Sequence, residues 1–340
     1  MKNKVSPEFV RVKADYTNPG FTPFLKVLKK PLYRFDGHES RFYYTFSRGV
    51  GTPHISITSL ADKVLPKGAG FYTWLKSQGK DSDQIKYERA VFGTVFHIQA
   101  MRPILGDTEE HGHGYDFDYL DEPVHGEYFI NERGEAQVSS RFHMMFPPQL
   151  RAKASRWRMP FKKGLMAWFL FLKEKVERIY AVELPLAHKK FEIAGTSDLV
   201  CDLTFNRKTV RSIVDIKSFI MEEGQGVSKS FYDSHEFQLA GLKHIWEINF
   251  PEYPIDMLFN WAPNNWIKDP SYTLKNQTDN PYLKTVRIGG KDVSTFELRW
   301  SAAKTEGLLK PPTDVTDIRG KMESLETFDP QNHFLKISLI

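Results

Sequence analysis

Two carboxylates and one amine stand at unusual places in the second half of the chain. Asp198 ends the run Gly195-Thr196-Ser197-Asp198 inside an otherwise apolar segment, and Asp215-Ile216-Lys217 lies inside the next one. An ionised carboxylate in apolar surroundings is costly unless a cation or strong hydrogen bonds compensate it. These positions therefore predict a functional site in which the carboxylates bind a cation or accept strong hydrogen bonds.

The spacing of these residues indicates which chemistry. Carboxylates on neighbouring antiparallel strands can converge on one divalent cation bound through oxygen, which favours Mg²⁺ or Mn²⁺. The carbonyl of Ile216 can complete a protein face that leaves water and phosphate positions open. Lys217 lies two residues after Asp215, so strand alternation directs both side chains to one face. The alternative is a buried Asp–Lys ion pair, because an Asp-x-Lys triplet is common.

Two further polar side chains interrupt apolar patterns nearby. Glu183 precedes the first carboxylate on the previous strand-like segment, and Gln238 lies near the start of the helix that follows. Both stand where they can reach the same pocket. They strengthen the case for a site over that for an isolated ion pair.

The elements that must position these residues follow from hydrophobic periodicity. Residues 180–186, 191–205 and 209–218 read as three antiparallel strands, preceded by an amphipathic helix whose apolar positions run from Phe161 to Ile179. A helix over 234–247, capped by Asp233 with Glu236 three residues on, and a strand over 255–262 follow. We predict an α/β fold with a mixed sheet and a core order of α, β, β, β, α, β.

The rest of the chain surrounds this core. We assign 1–55 to an N-terminal extension with a hairpin over 32–46, 56–262 to the core, 106–148 to an acidic insertion, and 263–340 to a C-terminal elaboration with a helix over 294–309. Within the core, Thr58 is the predicted cap of a first helix, and a second helix over 83–105 carries His97. That histidine is either a ligand or a core histidine of its helix.

Charge is distributed unevenly along the chain, although the net formal charge is only +5. One acid-free stretch combines six cations and a tryptophan, a pattern that suits phosphate binding as well as a solvated helix face. Its members are Arg151, Lys153, Arg156, Trp157, Arg158, Lys162 and Lys163.

Composition narrows the classes of protein. The single cysteine, Cys201, excludes an intramolecular disulfide and a four-thiolate metal site. Four irregularly spaced histidines, His111, His113, His125 and His143, read as solvated loop residues rather than a zinc site. The chain shows no secretory signal and no apolar run long enough to cross a membrane, so we expect an intracellular, cytoplasmic protein, or one in the host cytoplasm if phage-encoded.

The motifs and their order resemble those of a known superfamily. Gly93-Thr94-Val95-Phe96-His97, Gly195-Thr196-Ser197-Asp198, Asp215-Ile216-Lys217-Ser218 and Gln238-Leu239-Ala240-Gly241-Leu242 are similar to the successive motifs of RecB-type PD-(D/E)xK nucleases. The resemblance covers about residues 56–262. Within the superfamily, the chain is most similar to small single-chain members, such as the mitochondrial genome maintenance exonuclease and phage or bacterial recombination exonucleases. Leu242 departs from the usual tyrosine. The cysteines of the iron–sulfur branch are absent, which argues against the CRISPR-associated adaptation nucleases.

The resemblance implies a restriction-endonuclease-like core and a role for each motif residue. Asp198, Asp215, the Ile216 carbonyl and His97 would bind the metal, and Lys217 would act on the attacking water. Glu183 and Gln238 would support the metal shell or hold the DNA backbone. We expect Ser218 to donate a hydrogen bond beside the site or to contact DNA rather than to act as a nucleophile, because no base is placed to activate it.

These expectations converge on a metal-dependent DNA nuclease that acts from DNA ends in recombination, repair or replication, with no membrane partner. An endonuclease on the same core is the alternative among enzymes. An inert nucleic-acid-binding scaffold is the alternative from another class.

Overall fold

The computed structural model describes residues 32–36, 40–47, 50–67, 69–101, 104, 117–218, 232–265 and 268–310. In these ranges the strands are β1 (Leu32–Asp36), β2 (Arg41–Ser47), β3 (Val50–Ser56), β4 (Pro123–Ile130), β5 (Ala136–Ser140), β6 (Val176–His188), β7 (Ile193–Phe205), β8 (Lys208–Ile216), β9 (Met257–Pro263), β10 (Tyr272–Asn276), β11 (Thr285–Ile288) and β12 (Lys291–Ser294). The α-helices are α1 (Ile57–Val64), α2 (Ala69–Gln78), α3 (Ser82–Met101), α4 (Arg141–Met144), α5 (Arg151–Lys175), α6 (Asp233–Asn249) and α7 (Thr295–Thr305).

The described strands form one large mixed sheet and two separate hairpins, β4–β5 and β11–β12. Strand β7 is at the centre of the large sheet. It pairs antiparallel with β6 along one edge, and its other edge pairs first with β3, in parallel, and then with β8, antiparallel. Strand β8 continues in parallel to β9, which pairs antiparallel with β10. The molecule is therefore a mixed α/β fold, with α5, β6, β7, β8, α6 and β9 in the predicted order.

Several predicted boundaries need correction. The helix predicted from Phe161 begins at Arg151, and Val176 and Ile179, the last members of its apolar stripe, belong to β6 instead. Both are β-branched residues, which favour a strand when a sheet is available. Helix α2 was not predicted, and neither was the addition of β10 to the sheet.

Two helix caps also differ from the prediction. Ser56, rather than Thr58, caps α1, because its Oγ accepts a hydrogen bond from the backbone N of Ser59 at 3.0 Å. At the start of α6, the backbone N of Tyr232 donates to Nδ1 of His235 at 3.3 Å, so Asp233 is the first helical residue rather than the cap.

Two apolar layers cover the faces of the sheet. The first includes Phe92, Phe96 and Trp168 from helices α3 and α5, and the second includes Phe237 and Trp246 from helix α6. Burial of each such side chain contributes about 1.5–3 kcal/mol, so these layers dominate the stability of the fold. Cys201 lies fully buried in the first layer, where burial raises the pKa of its thiol well above the ordinary value.

Glycines allow two close contacts within these layers. A Cβ on Gly164 would lie 2.7 Å from Cε2 of Phe96, and a Cβ on Gly195 would lie 2.8 Å from Cδ2 of Leu242. The absence of a side chain thus lets α3 pack on α5 and lets α6 pack on β7. The second contact brings α6 close to the strand that carries Asp198.

The histidines of the insertion divide in the structure. His125 is exposed, as predicted, but His143 is buried against Phe129, with ring centroids 4.6 Å apart, which corrects its predicted solvation. His111 and His113 lie outside the described residues, as do the turn of the first hairpin at Gly37 and residues 106–116 at the start of the acidic insertion. In the described ranges, no helix combines the length and apolar character needed to span a membrane.

Candidate metal centre

Three carboxylates form a row across the middle of the sheet. The register pairs Val182 with Leu199 and Leu184 with Ser197, so Glu183 stands opposite Asp198. The pairing of Leu199 with Val214 likewise sets Asp198 beside Asp215. Directly opposed residues of antiparallel strands have Cβ atoms about 4.5–5.5 Å apart, so the register places the three acids at neighbouring positions on adjacent strands.

The backbone at Glu183 is unusual for a strand. Its φ is +46°, in the left-handed region that few residues other than glycine adopt. Val182 packs in the first apolar layer, on the α5 side of the sheet, whereas Leu184 and Leu186 pack in the second apolar layer, on the α6 side. A regular strand would place these three even-numbered residues on one face. The left-handed residue therefore exchanges the faces of β6 and turns Glu183 toward Asp198.

His97 reaches this row from helix α3. Its Nδ1 lies 3.5 Å from Oε1 of Glu183 and 3.8 Å from Oδ1 of Asp198. One ligand atom from each of the three residues lies within 4.8 Å of the other two. The sequence predicted His97 and Asp198 as ligands and gave Glu183 a supporting role, and the structure brings all three into one group.

The second ring nitrogen of His97 contacts the strand end. Nε2 lies 3.2 Å from the carbonyl O of Ile216, the group predicted as a metal ligand. Metal-binding histidines commonly donate their other N–H to a backbone carbonyl, which fixes the ring. The arrangement suits Nδ1 for a cation and lets the Ile216 carbonyl orient the imidazole.

The electrostatics of the cluster reflect its burial. Burial alone would lower the pKa of His97, but Asp198 and Glu183 raise it to about 9. Burial raises the pKa of Asp198 to about 7, assisted by Glu183 and opposed by His97. Without a cation, the cluster therefore takes up protons, and a divalent cation would compete with them for the same atoms.

Asp215 and Lys217 lie beside this cluster. Oδ2 of Asp215 is 2.7 Å from Nζ of Lys217, as strand alternation predicted. Nζ also donates to Oε1 of Gln238 at 3.1 Å. Although Lys217 follows the end of β8, its backbone N donates to the Trp261 carbonyl at 2.8 Å, so the sheet bonding to β9 continues and fixes its position. The ammonium is thus held between a carboxylate and an amide.

The carboxylate of Asp198 also stabilises the strand end. Its Oδ2 accepts a hydrogen bond from the backbone N of Ile216 at 2.7 Å. Among the described strands, β7 pairs with β3 up to Ala194 and with β8 from Leu199, and this contact lies between the two pairings. Oδ2 is committed to the backbone, and Oδ1 is the oxygen that faces His97.

Sequence reasoning missed three residues around Asp215. Nδ2 of Asn260 donates to Oδ2 of Asp215 at 2.6 Å, and Gln277 contacts Asn260. The pKa of His235 is lowered to about 4, by burial and by the nearby charge of Lys217. Asn260 did carry a signal, since it is a polar residue between Phe259 and Trp261 in an apolar strand. Gln277 and His235 do not interrupt an apolar strand pattern, so the sequence gives no sign of their position.

The glycine of the first motif has a steric role. A Cβ on Gly93 would lie 3.1 Å from Oγ of Ser218, which follows Lys217. The missing side chain lets α3 approach the end of β8 and so brings His97 near Ile216. Ser218, predicted to contact DNA or to donate a hydrogen bond, faces this helix.

The basic stretch on α5 is largely neutralised by acids. Arg151 lies 3.2 Å from Glu127 and Lys162 lies 2.6 Å from Asp121. Three further ion pairs join Lys153 to Glu88, Arg156 to Glu132, and Arg158 to Asp121. The cations Arg158 and Lys162 lower the pKa of Asp121 against the opposing effect of its burial. The acids therefore compete with phosphate for these cations.

Trp157 does not support the predicted stacking role. It is only 7% exposed and packs edge-on against Phe92, with ring centroids 5.9 Å apart. The indole thus belongs to the apolar layer, because α5 turns this side inward. Lys163, the last cation of the stretch, is half-buried.

Comparisons with known proteins leave the geometry as the basis for a function. No protein-family model matches the chain. A search of curated proteins also finds no match.

Proposed function

We propose that the chain is a metal-dependent DNA nuclease that hydrolyses phosphodiester bonds. One observation carries the proposal: ligand atoms of His97, Glu183 and Asp198 lie within 4.8 Å of one another, in a row continued by Asp215. The hard carboxylate oxygens of this row suit Mg²⁺ or Mn²⁺, and in a nuclease such an ion activates water and offsets charge on the phosphate.

The amine beside the cluster gives the site its catalytic group. Lys217 can hold or transfer a proton at Nζ and place positive charge near the phosphate. Gln238 and Asp215 restrict where that ammonium lies, since both bind it directly. A positioned cation next to a metal-binding row is the arrangement expected for hydrolysis of a charged ester.

The distribution of the motifs supports a RecB-type PD-(D/E)xK assignment on a restriction-endonuclease-like core. The histidine motif lies on α3, the first aspartate on β7, the Asp-x-Lys motif at the end of β8, and the glutamine motif on α6. The α5-β6-β7-β8-α6-β9 order agrees with the core expected for that superfamily. Action from DNA ends, and a place in recombination, repair or replication beside other proteins of those processes, follow from the resemblance alone.

One cleavage experiment tests the proposal against its alternatives. End-labelled linear DNA and closed circular DNA, each single- and double-stranded, are incubated with Mg²⁺, Mn²⁺ or EDTA. We expect divalent-cation-dependent release of short products from linear DNA only. Cleavage of circles would favour an endonuclease. Binding without cleavage under every condition would favour an inert scaffold and overturn the proposal.

A further inference from the structure

A chain of buried amides lies behind Asp215. Asn260 on β9 is fully buried, and its Nδ2 donates to Oδ2 of Asp215 at 2.6 Å. Gln277, just after β10 and 4% exposed, donates from Nε2 to Oδ1 of Asn260 at 3.0 Å. Neither amide contacts the cluster formed by His97, Glu183 and Asp198 in the described part of the chain.

The chain has a fixed direction. A side-chain amide has one acceptor end and one donor end, so the donor from Gln277 obliges Asn260 to turn its own donor toward Asp215. Gln277 is itself anchored, because its backbone N donates to the Leu258 carbonyl at 2.8 Å. The orientation of Asn260 therefore depends on a residue that does not touch Asp215.

This direction determines which oxygen of Asp215 is used. Asn260 and Lys217 both bind Oδ2. Within the described residues, Oδ1 receives no hydrogen bond. Fixing one oxygen of a carboxylate from behind fixes the direction of the other.

We infer that Asn260 and Gln277 are positioning residues of the metal centre, and that they hold Asp215 with Oδ1 directed to the cation. This inference rests on the proposed function, because it assigns the two amides to that centre. Partners of this kind commonly change metal affinity or activity by about 10- to 100-fold when removed.

The test uses the whole chain with Mn²⁺ as the probe, in titration calorimetry, together with DNA cleavage and thermal unfolding. We expect Asn260→Ala to weaken Mn²⁺ binding by about 10- to 100-fold. Gln277→Ala should weaken it less, and the double variant should match Asn260→Ala, because Gln277 acts through Asn260.

An isosteric change separates orientation from packing. In Gln277→Glu the carboxylate accepts rather than donates, so the Asn260 amide should rotate and present its oxygen to Asp215. We expect this variant to lose as much Mn²⁺ affinity as Asn260→Ala while keeping its side-chain volume. If Asn260→Ala does not fold, the two Gln277 variants decide the inference.

The control is Asn249→Ala at the end of α6. That amide donates to the carbonyls of Ala187 and Ile245 at 3.1 and 2.8 Å, away from the centre. We expect it to lower the unfolding temperature without changing Mn²⁺ affinity.

The outcomes separate this inference from the proposed function. If the Asn260 and Gln277 variants are destabilised but bind Mn²⁺ like the wild type, the amides are structural and the inference is overturned, whatever the DNA result. If the wild type binds Mn²⁺ and cleaves no DNA, the proposed function fails, while a loss of affinity in the variants still supports the amide chain. Absence of Mn²⁺ binding by the wild type would overturn both.

Discussion

Nδ1 of His97 lies 3.5 Å from Oε1 of Glu183, although one residue belongs to a helix and the other to a strand far along the chain. The contact exists because α3 packs on the sheet where β6 turns an acid outward.

We expect the stability of the metal-free protein to fall as pH rises from about 6.5 to 9. The pKa of His97 is raised to about 9 in the folded chain, whereas the pKa of an ordinary histidine in the unfolded chain is near 6.5. Protonation of His97 therefore stabilises the fold, and this contribution is fully present below pH 6.5. That contribution is lost as pH rises through the folded pKa. Asp198, with its pKa raised to about 7, contributes in the same direction between its ordinary value and 7. Thermal unfolding in EDTA measures the slope.

The variant His97→Gln should flatten this pH dependence. An equivalent change at His125, an exposed histidine on β4, should leave it as in the wild type. Stabilisation of the wild type by Mn²⁺ should increase as pH rises through about 9, because the proton on His97 then competes less with the cation. An unchanged slope in His97→Gln would contradict the charge assignment.

Replacement of Lys217 by alanine should reduce DNA cleavage by about 10²–10⁴-fold, the usual contribution of a positioned proton-transfer group. DNA binding should remain largely intact, as it should in Asp215→Ala. Single-turnover cleavage and a binding assay measure the two effects. Lys243→Ala is the control, since that lysine lies on α6 in an ion pair with Glu247. Cleavage at the wild-type rate by Lys217→Ala would remove it from the mechanism.

The left-handed backbone of Glu183 should tolerate glycine and resist a branched side chain. We expect Glu183→Gly to keep or raise the free energy of unfolding, and Glu183→Val to lower it by about 1–3 kcal/mol. Both should lose Mn²⁺ affinity, because both lack the carboxylate. Glu192→Gly, at another residue with a positive φ of 52°, should retain stability and metal binding alike. Equal stability of Glu183→Gly and Glu183→Val would argue against strain at this residue.

Asp121→Asn should release two cations of α5. Arg158 and Lys162 both pair with this aspartate, whose pKa they lower. If α5 borders the DNA path, affinity should rise, and the slope of log affinity against log salt should steepen by up to about two. Fluorescence anisotropy over a salt series measures both quantities. An unchanged slope would place α5 away from the DNA.

Sequence reasoning placed the strands and the neighbouring side chains of the candidate site well where the signal was local. Alternation along 209–218 correctly placed Asp215 and Lys217 together, because a strand has a fixed period of two. Asp198 was likewise identified because it is a charged residue within an apolar strand segment. The predicted order of the core elements is confirmed by the structure.

Contacts between distant segments were beyond such reasoning. Nothing in the residues around Glu183 indicates a left-handed backbone. The acidic partners of the basic stretch lie on α3, just before β4 and in the β4–β5 hairpin, so these ion pairs depend on tertiary packing. The burial of Trp157 has the same origin, since only the packing of α5 on α3 decides which side of the helix is covered. The cap of α1 was mispredicted because the neighbouring Ser56 and Thr58 are both suitable cap residues. The start of α6 was mispredicted because His235, a residue inside the helix, accepts the hydrogen bond from the backbone N of Tyr232.

The inaccessible thiol of Cys201 makes this chain convenient for chemical labelling. Because that sulfur is fully buried and hard to ionise, maleimides should react with it slowly in the folded protein. A cysteine introduced at the exposed Tyr128 of the β4–β5 hairpin would then carry a single fluorophore without removal of the native residue. The motion of this hairpin relative to labelled DNA could be followed on the otherwise natural molecule.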